Sequence, residues 1–171
     1  ARGIDVSMGK LATPSTLKVD HFAGNLGQVV TGHFTGAELK LFPVPLDLSQ
    51  GEGDLRFANG DLAVTGTSFK LADREEQPRF EPLTARDATL QLHSTTFTAQ
   101  AMLREPRSDR EIVLASIEHD LDTAAGHADL KVPGILFDER LQPTTLTYFA
   151  QGVIALAKGT VRPLSADFNT G

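Results

Sequence analysis

The chain of 171 residues has no cysteine, no tryptophan, one tyrosine and two methionines. Without cysteine there is no disulfide framework, no thiol nucleophile and no thiolate metal site. The absence is silent on compartment, because periplasmic and cytosolic proteins can both lack cysteine. Positive charge is also short: 16 Lys and Arg stand against 22 Asp and Glu, a formal net charge of −6. That balance argues against a chain-wide attraction to phosphate backbones, so nucleic acid is not an expected partner. Long apolar runs are missing too. The longest apolar patch, Gly152–Ala157, falls far short of the ~18–20 residues that span a bilayer. The N-terminal Ala1-Arg2-Gly3-Ile4-Asp5 has neither an initiator Met nor the apolar core of a signal peptide. It begins directly in strand-like alternation. We therefore expect a single segment, residues 1–171, of a longer repetitive protein, with any membrane anchor outside it.

Forty percent of the residues are hydrophobic, enough to bury a core. They come mostly at every second position. Leu17 and Val19 alternate with Lys18 and Asp20, and Leu39 and Leu41 with Glu38 and Lys40. Val44, Leu46 and Leu48 are followed, across an expected turn at Gly51-Glu52-Gly53, by Leu55 and Phe57, then by Leu62 and Val64. The same spacing returns at Leu90 and Leu92, at Phe97 to Leu103, at Val113 to Ile117, and at Ala128 to Val132. A period of two places these side chains on one sheet face and their polar neighbours on the other, as in antiparallel sheets with one wet face. Asn59-Gly60 between Phe57 and Leu62 is a strong hairpin signal, since both central residues of a type I′ turn need positive φ. Pro43 and Pro45 would block ladder donors and mark an edge or a strand start. The expected fold is all-β, a mostly antiparallel sheet.

Two stretches are charge-dense and contain proline: residues 72–82, with Asp73-Arg74-Glu75-Glu76-Gln77-Pro78, and residues 104–110, with Arg104-Glu105-Pro106-Arg107. Both read as solvated connections. A second exception lies near residues 143–157. Leu146, Phe149, Val153 and Leu156 are spaced 3, 4 and 3, which predicts one short helix with Thr144 or Thr145 as cap and Gly159 as stop. Beyond Gly159, Val161 and Leu164–Phe168 return to strand character.

Chemistry-bearing patterns are scarce. The histidines at 21, 33, 93, 119 and 127 form neither HxH nor HExxH spacing, so no metal site and no cofactor are expected. Gly66-Thr67-Ser68 lacks the second glycine of a nucleophile elbow, and Gly51-Glu52-Gly53 lacks the third glycine and the helix of a dinucleotide loop. His119-Asp120, without a placed nucleophile, reads as a strand-end pair. We assign no catalytic residue and expect a non-enzyme.

One set of short motifs, over about Ile112 to Val161, is distinctive in its order. It runs Ile117-Glu118-His119-Asp120-Leu121, Gly126-His127-Ala128-Asp129-Leu130 and Val132-Pro133-Gly134-Ile135-Leu136-Phe137, then Leu141-Gln142-Pro143 and Gly159-Thr160-Val161. The set resembles the C-terminal region of YdbH-type proteins, members of the AsmA-like group that also includes TamB. Residues 37–64 fit the group less specifically.

The resemblance implies a strongly curved, open, U-shaped β groove of the β-taco kind, running from the inner to the outer membrane of a diderm bacterium. Its apolar face would carry phospholipid acyl chains. It further implies a periplasmic location, an inner-membrane anchor outside this chain, and a small outer-membrane lipoprotein met by strand addition at the C-terminal end. From the alternation, the expected groove face holds Leu39, Leu41, Leu55, Phe57, Leu62 and Val64. It continues through Leu90, Leu92, Phe97, Val113, Ile117, Leu130 and Val132. Leu146, Phe149, Val153 and Leu156 would plug the groove's end. The same pattern would equally fill the closed core of a sandwich. A structural or assembly scaffold of the cell envelope that recruits a partner by strand addition is therefore the alternative.

Overall fold

The computed structural model describes residues 2–78, 80–131, 144–149 and 152–157. Its strands are β1 (Arg2–Met8), β2 (Ser15–Leu26), β3 (Val30–Lys40), β4 (Leu46–Ala58), β5 (Asp61–Asp73) and β6 (Leu83–His93). They continue as β7 (Thr96–Arg104), β8 (Glu111–Asp120), β9 (Gly126–Lys131), β10 (Thr144–Phe149) and β11 (Gly152–Ala157). Strand order in the sheet equals chain order, and every pairing is antiparallel. The fold is all-β, as the alternation predicts. The charged stretches are the β5–β6 and β7–β8 connections, and β4 begins directly after Pro45. Asn59 and Gly60 take φ of 54° and 87°, the two left-handed residues of a type I′ turn.

Two expectations are corrected. The described residues within 143–157 form no helix but the antiparallel pair β10–β11, which pairs onto β9. The helical spacing of Leu146, Phe149, Val153 and Leu156 competes there with Thr144, Thr145, Thr147, Val153 and Ile154. These β-branched residues lose side-chain freedom in a helix and fit a pleated surface. Gly152 weakens a helix further and here opens β11. Gly51-Glu52-Gly53 is not a turn but the middle of β4. A Cβ at 51 would stand 2.9 Å from that of Ala37, and one at 53 would stand 2.7 Å from Thr67 Oγ1. These glycines mark close strand approach. Val132 and the strand-like residues beyond Gly159 lie outside the described residues.

The alternation is broken once within each of several strands. Register shifts fall at Thr35/Ala37 in β3, between Ser49 and Asp54 in β4, at Val64/Thr67 in β5 and at Arg86/Thr89 in β6. Left-handed residues sit at these places: Gly36, Gln50, Gly66 and Asp87, with φ of 68°, 54°, 60° and 55°. They form a band of β-bulges across four consecutive strands. Each bulge adds a residue, so the buried positions step by three at two of them: Val64 to Thr67 in β5 and Ala85 to Ala88 in β6.

Buried apolar side chains form three clusters. One gathers Leu71, Ala85, Ala88, Ala101, Leu103, Ile112 and Val113; a second gathers Val19, Phe22, Phe34 and Val64. The third joins Leu39 and Leu41 of the β3 end to Phe97 of β7 and Leu121 after β8. Those strands are not sheet neighbours. Contacts therefore also run across the sheet from one part to another.

Candidate functional site

The apolar face is built by strand parity. Leu39, Leu41 and Phe97 are buried together, with Leu92 and Ile117 packed against them. Val64 is buried in the second cluster with Leu55 and Leu62 beside it, and Val113 is buried in the first with Leu130 beside it. Leu90 packs against all three clusters. It ties them into one continuous face. Phe57 stands apart: it is 41% exposed and belongs to none of the clusters. It lies at the end of β4, paired between Val30 and Leu62, where the face runs out into solvent.

Sequence reasoning missed Phe22, Phe34, Leu71 and Leu103 as members of this face. Phe22 and Phe34 pair with each other, but Phe22 lies three residues after buried Val19 and Phe34 five before buried Leu39, both odd steps. A strict period of two therefore passes over them. Leu103 lay inside the alternating run and needed only to be carried forward.

The face borders an apolar, partly open cavity of about 100 Å³, lined from β1 to β7 by residues including Met8, Val19, Phe34, Leu55, Leu62 and Leu90. At the place where the β3–β4 connection meets the β8–β9 turn, His119 is fully buried. It lies at the end of β8, as expected of a strand-end pair, with its side chain covered. Burial pushes its pKa down, against the Asp120 charge and a hydrogen bond with the Phe42 backbone, which both favour the charged ring. Asp120 meanwhile organises the turn. Its carboxylate accepts from Thr95 Oγ1 at 2.7 Å, from Thr123 N at 2.8 Å and from Asp122 N at 3.0 Å. The Thr95 hydroxyl and these backbone donors hold its pKa below the ordinary carboxylate value.

The opposite face is polar. His33 on β3 lies 3.0 Å from Asp54 and 3.2 Å from Glu52 on β4, and the Asp54 contact first, then Glu52, raises its pKa. His93 meets Asp61 at 2.6 Å. Among the described residues no group of three or more His, Cys, Asp or Glu is placed to hold a metal ion, and no helix is long and apolar enough to cross a membrane.

Residues 2–162 match the family described as YdbH-like, intermembrane phospholipid transport protein YdbH. No curated protein and no solved structure matches the chain.

Proposed function

The chain belongs to the YdbH-like family, and from that premise we propose that it is a non-catalytic segment of a periplasm-spanning bridge. Phospholipids would move between the inner and outer membranes along its apolar face. Family membership itself supports a part in intermembrane phospholipid transport, hence work in the cell envelope. The groove reading goes further. It rests chiefly on one observation: apolar side chains from strands that are not neighbours surround a common apolar cavity. A band of bulges supports the curvature this needs, because each bulge bends its strand and adds twist. Strands of up to 13 residues that crease at mid-length present two walls to each other, with Leu39 and Leu41 on one and Leu92 and Phe97 on the other. The result is a U-shaped open sheet.

Such a face recognises chains rather than head groups. Burial of apolar area contributes about 25 cal/mol per Å², so a two-chain phospholipid would be held mainly through its acyl carbons. The alternative is an envelope scaffold without lipid. It draws on the size of the cavity, about 100 Å³, which is smaller than the ~150 Å³ that accommodates benzene. At rest the face is nearly filled by its own side chains. Under either reading an open sheet leaves unpaired backbone at its ends, and a small outer-membrane lipoprotein adding a strand at the C-terminal end fits that chemistry. The inner-membrane anchor would belong to a part of the protein outside this chain.

Native mass spectrometry of the chain purified from a diderm bacterium tests the lipid reading. We expect bound phospholipid on the wild type and its loss in Leu90→Glu, which puts a charge where the three clusters meet, with the β signature retained in circular dichroism. A wild type free of lipid, or a folded Leu90→Glu chain that keeps its lipid, overturns the reading.

A further inference from the structure

One contact joins parts of the sheet that no ladder joins. The β1–β2 connection reaches the β8–β9 turn, where Lys10 Nζ lies 2.8 Å from Asp122 Oδ2. Beside it Gly9, with φ of 86°, sits so close to Leu121 that a Cβ at position 9 would run into the Leu121 carbonyl oxygen. Beneath, Leu41 and Leu121 are buried together with Met8 against them. The Phe42 N–H donates to Ser15 Oγ at 3.0 Å. The receiving turn is stiffened by the Asp120 carboxylate and by the hydrogen bond from Leu121 N to Thr95 O at 2.8 Å. Among the described residues, however, each strand's backbone meets only its sheet neighbours.

The energetics of parting differ accordingly. Separating two neighbouring strands breaks a ladder of backbone hydrogen bonds. Separating the β1–β2 connection from the β8–β9 turn breaks none, and its one ion pair joins an exposed Lys10 to a half-buried Asp122, a surface contact that holds weakly. What resists parting is the apolar area of Met8, Leu41 and Leu121. An incoming acyl chain would cover that same area, so opening costs least when lipid is at hand. The cavity, about 100 Å³, is small beside a whole acyl chain, and such movement would enlarge it.

We propose that the contact between the β1–β2 connection and the β8–β9 turn is a lateral seam, through which acyl chains enter and leave the apolar face sideways. The proposal rests on the lipid reading above and names where the lipid passes.

The absence of cysteine makes the test clean. In Lys10→Cys/Asp122→Cys, a short thiol-specific cross-linker reacts at the seam alone. Uptake of a fluorescent-acyl phospholipid from vesicles of phosphatidylethanolamine and phosphatidylglycerol is timed before and after linking. We expect linking to slow uptake at least tenfold, and Gly9→Ala, which forces the two turns apart, to speed it. Equal rates before and after complete linking overturn the seam and leave the lipid reading standing. No uptake by the unlinked pair variant or by the wild type overturns both. Hydrogen exchange at residues 9–15 and 121–125 supplies a readout that needs no lipid: linking should slow it at both turns together, and an unchanged rate counts against the seam.

Discussion

Two histidines on opposite faces titrate in opposite senses. His119 is fully buried and its pKa is depressed from the ordinary 6.5, first by burial. The unfolded chain therefore takes up a proton that the folded ring refuses. Stability is full above pH 6.5 and falls as pH drops below it, until the depressed value is reached, with a slope of at most about 1.4 kcal/mol per pH unit. Urea unfolding between pH 7.5 and 5 should show this fall, and His119→Gln should flatten it. The lowered Asp120 acts in a separate window, losing its contribution only as pH falls below its ordinary 3.8 and through its own folded value. His33 is raised by Asp54 and Glu52, so its contribution is present below 6.5 and lost as pH rises through the raised value. It is exposed and small in effect. An NMR titration should place His33 above the ordinary histidine value and His119 below it. His119→Ala removes the largest fully buried side chain among the described residues and should cost about 2–4 kcal/mol in chemical denaturation.

Within the strands, the bulges carry the strain. Gly66 has φ of 60° and open space where a Cβ would go, so Gly66→Ala measures the left-handed backbone alone, about 1–2 kcal/mol. Gly36→Ala should cost more, because the Asp20 side chain occupies that space as well. Chemical denaturation of both variants checks the order; equal costs would mean that Asp20 yields freely. These positions also explain what the sequence hid. Alternation at Leu39/Leu41, Leu90/Leu92 and Val113/Ile117 was legible because nothing interrupts it, and Asn59-Gly60 because its turn demands a rare backbone. The inserted residue at Gly36 or Gly66 only shifts phase, and a phase shift looks like an imperfect repeat. Phe34 was lost for that reason, and Phe22 because it falls three residues after Val19. Gly51 and Gly53 looked like a turn because glycine's two uses, left-handed backbone and close approach, leave the same letter. Leu146 to Leu156 misled because a 3-4-3 spacing weighs only side-chain placement, whereas Thr144, Thr145, Thr147 and Ile154 decided the backbone.

At the scale of the molecule, β1 pairs with β2 alone among the described residues and shows Ile4 and Val6 at 36% and 40% exposure. An unpaired apolar edge attracts further strands. We expect the isolated chain to self-associate with rising concentration in sedimentation velocity, and Val6→Lys to suppress this without loss of β structure. A wild type that stays monomeric would show that this edge is protected. The strict agreement of strand order with chain order has a separate consequence, for growth. A single inserted strand would send every later turn to the opposite rim. Two inserted strands return the chain to the side it left, and all that follows keeps its place. Such a sheet lengthens in whole hairpins, each adding about 10 Å at the ordinary spacing between strands. The distance it can reach is therefore a number counted in pairs, adjustable by duplication without redesigning any one part.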